Sequence, residues 1–219
     1  MRTGHEAPAA TDSAVADSDV ADSGAVGSGA VGSGAAAGAA VGSGEQVRPG
    51  PLAVLVGAPG AGKSTVGVAL ARRIGVEFRD TDLDVESNLG MSVSDVFVEH
   101  GEEYFRAAER SAVLAALAEH TGVLALGGGA VLDADVRAAL AGHWVVYLDV
   151  SASAAARRVG LARDRPLLVE GPRTRLAALL KARRPLYEEV AALTVDTGAL
   201  EVEDVVAAIL VELAGRMSR

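Results

Sequence analysis

Short apolar runs recur along most of this 219-residue chain, separated by longer stretches in which apolar residues return at helical spacing. The runs lie at 52–56, 76–79, 122–126, 143–149 and 192–196. Two of them, Val123-Leu124-Ala125-Leu126 and Trp144-Val145-Val146-Tyr147-Leu148, carry no charged residue, which is the pattern of strands buried on both faces. Helix candidates lie near 63–74, 92–99, 102–119, 133–141, 151–159, 173–184 and 201–213. Strands alternating with helices predict an α/β fold, a parallel sheet covered on both sides. Ligands of such sheets bind beyond the carboxyl ends of the strands, so the residues that follow each run are the first candidates for chemistry.

The first fifty residues break the pattern. Ala-Val-Gly-Ser-Gly repeats at 25–29, 30–34 and 40–44, after an acidic Ala/Asp/Ser stretch, with no aromatic residue, Leu or Ile. Such a segment buries too little surface to offset its ordering entropy, so residues 1–50 are expected to be a disordered tail and 51–219 the domain. Asp, Gly and Ser interrupt it too often for a signal peptide. The chain is 50% hydrophobic but only 3% aromatic, so its core must be built from Val, Leu and Ala. It has no Cys, which excludes disulfides, thiolate catalysis and Cys-held metals. The net charge of −9, of which the tail supplies −4, argues against nucleic acid as a partner. No apolar run approaches the 18 residues of a membrane span, and with no export signal a cytoplasmic location is expected.

Directly after the first strand candidate stands Gly57-Ala58-Pro59-Gly60-Ala61-Gly62-Lys63-Ser64-Thr65. It fits G-x-x-x-x-G-K-[ST] between a strand and a helix, the context a phosphate-binding P-loop requires. Glycines let the backbone curl with its N–H groups facing one point, and the helix N-terminus adds positive potential. Lys63 would reach the β- and γ-phosphates, and the Ser64 hydroxyl would ligate Mg²⁺. The motif specifies a nucleoside triphosphate and leaves the acceptor open.

Other strand ends carry further candidates. Asp80-Thr81-Asp82 follows the second, with Asp80 assigned to the metal shell and Asp82 to the phosphoryl acceptor. On the long helix, Arg106 and Glu109 share a face, either as a surface ion pair or with Glu109 aiming Arg106 at a substrate carboxylate. Gly127-Gly128-Gly129 after the third strand is either a flexible connection or a place where a ligand meets backbone closely. Arg163-Asp164-Arg165-Pro166 lies in a polar stretch, about 160–172, with a glycine at each end, as a hinged lid has. Arg183 extends the apolar stripe of Leu176, Leu179 and Leu180, where it needs a partner or a route to water, and Pro185 is expected to distort the helix just beyond it.

In this order the pieces resemble the shikimate kinase family: GAPGAGKST at 57–65, DTD at 80–82, FRAAE at 105–109, GGGA at 127–130, RPLL at 165–168 and RRPLYEEVA at 183–191. The resemblance covers about 52–213. It implies a three-layer αβα fold with a five-stranded parallel sheet in the order 2-3-1-4-5. It also implies transfer of the γ-phosphoryl of ATP to the 3-hydroxyl of shikimate, by a monomer using one Mg²⁺. Gly60, Ala61, Gly62, Lys63, Ser64 and Thr65 would hold the phosphates, and Asp80 would reach the Mg²⁺ on Ser64 through water. Asp82, Arg106, Gly128 and Arg183 would bind shikimate, Arg165 would touch the phosphates on lid closure, and Arg158 would lie near the adenine. Lys63, Asp82 and Arg165 are the catalytic candidates. Phe97 and Phe105 would line the acceptor pocket or simply pack the core. The alternatives are a kinase of gluconate or a nucleoside monophosphate on the same fold, and a non-catalytic nucleotide-binding module. The family needs no Ala/Gly/Ser tail, and this chain departs from it there.

Overall fold

The structure, a computed structural model, describes residues 50–160 and 171–218. Five strands, β1 (Ala53–Val56), β2 (Phe78–Asp80), β3 (Val123–Ala125), β4 (Val145–Asp149) and β5 (Leu193–Asp196), form one parallel sheet in the order β2-β3-β1-β4-β5. The expected order is found. Every residue of β1 and β3 is buried, as their uninterrupted apolar sequences require of strands sandwiched between two helical layers.

Among the described residues eight α-helices connect and cover the sheet: α1 (Lys63–Ile74), α2 (Thr81–Leu89), α3 (Val93–Glu99), α4 (Gly101–Glu119), α5 (Ala134–Leu140), α6 (Ala152–Arg158), α7 (Pro172–Val190) and α8 (Val202–Met217). In α4 the buried positions Phe105, Glu109, Ala112, Val113, Ala116 and Leu117 return every three or four residues and form the stripe that faces inward. Most apolar side chains join one core around the sheet. A smaller cluster of Val85, Val96, Phe105 and Ala112 packs α2 and α3 against α4.

Two elements differ from the sequence expectation. Residues 81–89 form a helix that hydrophobic periodicity does not announce, because only Thr81 and Val85 of its nine residues are buried. Its start is set by Asp80, whose carboxylate accepts a hydrogen bond from the Asp82 N–H at 3.1 Å, so the last strand residue also caps the helix. The other is α7, expected to end near 184 but continuous through Pro185 to Val190. Pro185 and Lys181, one turn earlier, are both exposed, so water can take the carbonyl that the missing proline N–H leaves. The expected tail, 1–50, and nearly all of the expected lid lie outside the described residues.

The register aligns the carboxyl ends of β2, β3 and β1: Asp80 pairs with Ala125, and Leu55 pairs with Ala125 on the other side. The loops that leave these strands therefore start side by side, where the sheet's connections change direction. Leu55, fully buried on the central strand, bears on this alignment. Leu55→Ala is expected to lower unfolding free energy by about 2–5 kcal/mol, read from urea denaturation.

Candidate active site

The loop after β1 builds an anion cradle. Gly60 and Gly62 have φ of 80° and 92°, a left-handed backbone that glycine adopts without strain. Gly62 caps α1, and no side chain accepts a hydrogen bond from the first N–H groups of that helix. They remain available to an anion. Lys63 lies across the loop, its Nζ donating to the Gly57 carbonyl at 2.8 Å and the Ala58 carbonyl at 3.3 Å. Burial lowers the Lys63 pKa from its ordinary value, against the pull of Asp82 and Asp80.

Ser64 Oγ donates to Asp80 Oδ2 at 2.7 Å, bringing the loop and the end of β2 together. The other Asp80 oxygen caps α2, so Asp80 is fixed at both ends. Asp82 points to the same end of the sheet from the first turn of α2, and its pKa is raised by burial and then by Asp80, with Lys63 opposing.

On α4, Arg106 Nη1 donates to Glu109 Oε2 at 2.6 Å, and Glu102 accepts from the same guanidinium at 3.2 Å. Glu109 is 3% exposed, so this is no surface ion pair. Burial raises the Glu109 pKa, opposed by the Arg106 bond; for Arg106 burial pulls the pKa down, but Glu109 and Glu102 together raise it. The guanidinium carbon lies 5.2 Å from the Phe105 ring centre and 5.9 Å from that of Phe97. The two rings touch with centroids 4.5 Å apart, so both phenylalanines pack the small core and floor Arg106 at once.

The glycine run after β3 joins these groups. A Cβ on Gly127 would collide with Asp82 Oδ1 and lie 2.5 Å from Glu109 Oε1. One on Gly128 would lie 2.9 Å from Pro59 Cδ, and one on Gly129 would strike the Arg106 guanidinium. The close approach expected of these glycines is thus made by the protein's own side chains. The Gly127 N–H donates to Thr81 Oγ1 at 3.0 Å, and the Gly128 carbonyl accepts from Arg183 Nη1 at 3.0 Å and from Tyr187 Oη at 2.6 Å. The partner that Arg183 needs on its apolar stripe is this carbonyl.

On the other side of the cradle, Arg158 donates to the Gly60 carbonyl at 3.3 Å, to Thr197 Oγ1 at 3.2 Å and to the Thr197 carbonyl at 2.5 Å. Thr197, 2% exposed, has its hydroxyl 3.1 Å from the Ala61 carbonyl and 3.0 Å from that of Asp149. Arg158, Gly62, Thr65 and residues 197–202 line a cavity of about 320 Å³ beside the loop. Arg163, Asp164 and Arg165 lie outside the described residues. Sequence reasoning missed Thr81, Tyr187 and Thr197. The first is legible as the middle of D-T-D, while the other two acquire partners only through distant backbone carbonyls.

The chain is similar to known proteins over this same region. The family model described as Shikimate kinase matches residues 59–214. A shikimate kinase of Frankia casuarinae is 71% identical over 154 residues, 70% of this chain and 68% of that protein. One of Thermobifida fusca is 57% identical over 163 residues, 74% of this chain and 95% of that protein. Among solved structures, shikimate kinase from Acinetobacter baumannii in complex with shikimate superposes with a TM-score of 0.70 at 37% identity, covering 76% of this chain and 94% of that one.

The raised Asp82 pKa has a consequence for stability. A carboxylate whose folded pKa lies above its unfolded value favours the folded state while protonated, and this advantage is lost as pH rises through the folded pKa. Asp82→Asn is therefore expected to be more stable than the parent at pH 7, with the gain shrinking as the pH is lowered towards the usual carboxylate range. Denaturant midpoints of both proteins across that range measure it.

Proposed function

The chain belongs to the shikimate kinase family, and from that membership we propose how its individual side chains carry the reaction. The reaction is ATP-dependent phosphorylation of the 3-hydroxyl of shikimate to shikimate 3-phosphate, with release of ADP, a step of aromatic amino acid biosynthesis.

One observation carries the assignment. Asp82 sits at the carboxyl ends of the strands with a phosphate cradle and two arginines, Arg183 bonded to the Gly128 carbonyl and Arg106 held by Glu109 against Gly129. The acceptor has a carboxylate and three hydroxyls. Two guanidinium forks suit the carboxylate through charge-assisted bonds, so Arg106 and Arg183 take that end, with the Gly128 backbone between them. Asp82 takes the hydroxyls. Its raised pKa makes it a better proton acceptor than an ordinary aspartate, the direction a base for the attacking hydroxyl requires.

The backbone of Gly60, Ala61, Gly62, Ser64 and Thr65 holds the ATP phosphates, and Lys63 exchanges its two carbonyl partners for phosphate oxygens. Arg158 and the 197–202 loop shape the cavity for the adenine. Ser64 and Asp80 present hard oxygen donors beside the cradle, a donor set that fits Mg²⁺. The bound ion would neutralise charge on the β- and γ-phosphate oxygens. Arg165 is assigned to the same charge from the lid. As the acceptor oxygen bonds to the γ-phosphorus, the bond to the β-phosphate oxygen breaks and ADP leaves. The hydroxyl proton passes to Asp82. Among the described residues no helix is long and apolar enough to cross a membrane, and we place this ATP-dependent reaction in the cytoplasm, in a monomer.

A coupled ADP-release assay tests the assignment. Lys63→Ala is expected to lower kcat by about 10²-fold or more. Arg183→Ala is expected to raise KM for shikimate by about 10- to 100-fold while that for ATP barely moves. Parallel loss for both substrates, or turnover with gluconate in place of shikimate, contradicts it. Removal of residues 1–48 is expected to leave kcat and the thermal midpoint unchanged, because the reading gives the tail no part in either substrate site.

A further inference from the structure

Tyr187 lies on α7 one turn beyond Arg183, on the same face of the helix. Its side chain is 1% exposed. Its hydroxyl donates to the Gly128 carbonyl at 2.6 Å, and Arg183 Nη1 donates to the same oxygen at 3.0 Å. The ring stacks on Tyr147 of β4, with centroids 5.1 Å apart and planes 18° from parallel. Tyr147 in turn donates to Asp149 Oδ1 at 2.8 Å, and the other Asp149 oxygen takes Arg184. The Tyr187 hydroxyl is thus delivered to Gly128 from a pedestal rooted in the sheet. Burial raises its pKa, so it keeps its proton and remains a donor.

We propose that Tyr187 is a positioning residue for the acceptor site: its hydroxyl holds the Gly128 carbonyl so that Arg183 can release it and turn to the substrate carboxylate. This rests on the assignment of Arg183 to that carboxylate. A carbonyl oxygen has two lone pairs, and here both have donors. A guanidinium grips a carboxylate best with two parallel N–H groups, and one nitrogen of Arg183 is tied to Gly128. If Arg183 were the only donor, each binding event would strip that carbonyl of its partner just as the acceptor covers it, at a cost in affinity. Tyr187 removes this conflict. It also holds the Gly128 carbonyl in place when the arginine moves.

The test is steady-state kinetics of the full chain for both substrates, with the thermal midpoint of each variant. Tyr187→Phe keeps the stacked ring and removes only the hydroxyl. It is expected to raise KM for shikimate about tenfold, the equivalent of about 1.4 kcal/mol, with KM for ATP and kcat within about twofold of the parent. In an Arg183→Gln background the same change is expected to have no further effect on KM for shikimate, because the hydroxyl acts through that arginine. A Tyr187→Phe protein with a lower midpoint but unchanged KM for shikimate would show a purely structural hydroxyl and overturn the proposal, as would full additivity with Arg183→Gln. Tyr147→Phe, which keeps the stack but loses the bond to Asp149, is the packing control. If it raises KM for shikimate as much as Tyr187→Phe does, rigidity of the pedestal explains the effect and the proposal falls. Failure of the underlying assignment is separately visible: Arg183→Gln alone would then leave KM for shikimate unchanged.

Discussion

Every polar side chain that faces the acceptor end of this site leans on three consecutive residues that have no side chain. Gly127, Gly128 and Gly129 meet Asp82, Glu109, Arg106 and Pro59 at distances a Cβ would forbid, and their backbone atoms bind Thr81, Arg183 and Tyr187. The constraint is steric and it comes from topology. β3 lies between β2 and β1, so whatever follows it is pressed between the loop from one neighbour and the helix from the other. Residues from α2, α4 and α7, far apart in sequence, can converge there only if the chain between them takes up no room.

Charge is distributed around this point in opposing pairs. Asp80 is bound by Ser64, Glu109 by Arg106, and Lys63 by two carbonyls of its own loop. Burial and then Asp80 drive the Asp82 pKa upwards, against the charges of Lys63 and Arg106. Burial resists the ionisation of both Asp82 and Glu109, but Glu109 is tied to Arg106, which leaves Asp82 as the carboxylate proposed for the chemical task. This fits the proposed division in which the charges held by fixed hydrogen bonds place groups and Asp82 takes part in the reaction.

Much of this was legible before any coordinates. The five strands announce themselves because both faces of the central ones are buried, and the phosphate loop carries its own spacing. Arg106 with Glu109, and Arg183 on an apolar stripe, are visible as charges at positions that demand a partner. What the sequence hides has a physical reason in each case. In the helix at 81–89 only Thr81 and Val85 are buried, so it has no apolar stripe to read. The passage of α7 through Pro185 depends on which side of the helix faces water. Thr197 and Tyr187 look like ordinary turn and core residues until Ala61, Asp149 and Gly128 are brought beside them. Side-chain partners leave a trace in residue type, whereas backbone carbonyls leave none.

If α1 takes a phosphate at its uncapped start, as proposed, the nucleotide becomes part of the architecture. Four of the eight described α-helices supply their own first-turn acceptor, as Asp80, Ser92, Asp133 and Ser151 do for α2, α3, α5 and α6. The helix that carries Lys63 and Ser64 begins instead at a bare glycine. On the proposed reading, its opening turn is completed by a phosphate that arrives from solution and departs with ADP. On this proposal each catalytic cycle installs and then withdraws a structural component, so the free and nucleotide-bound proteins differ in what closes the first turn of α1.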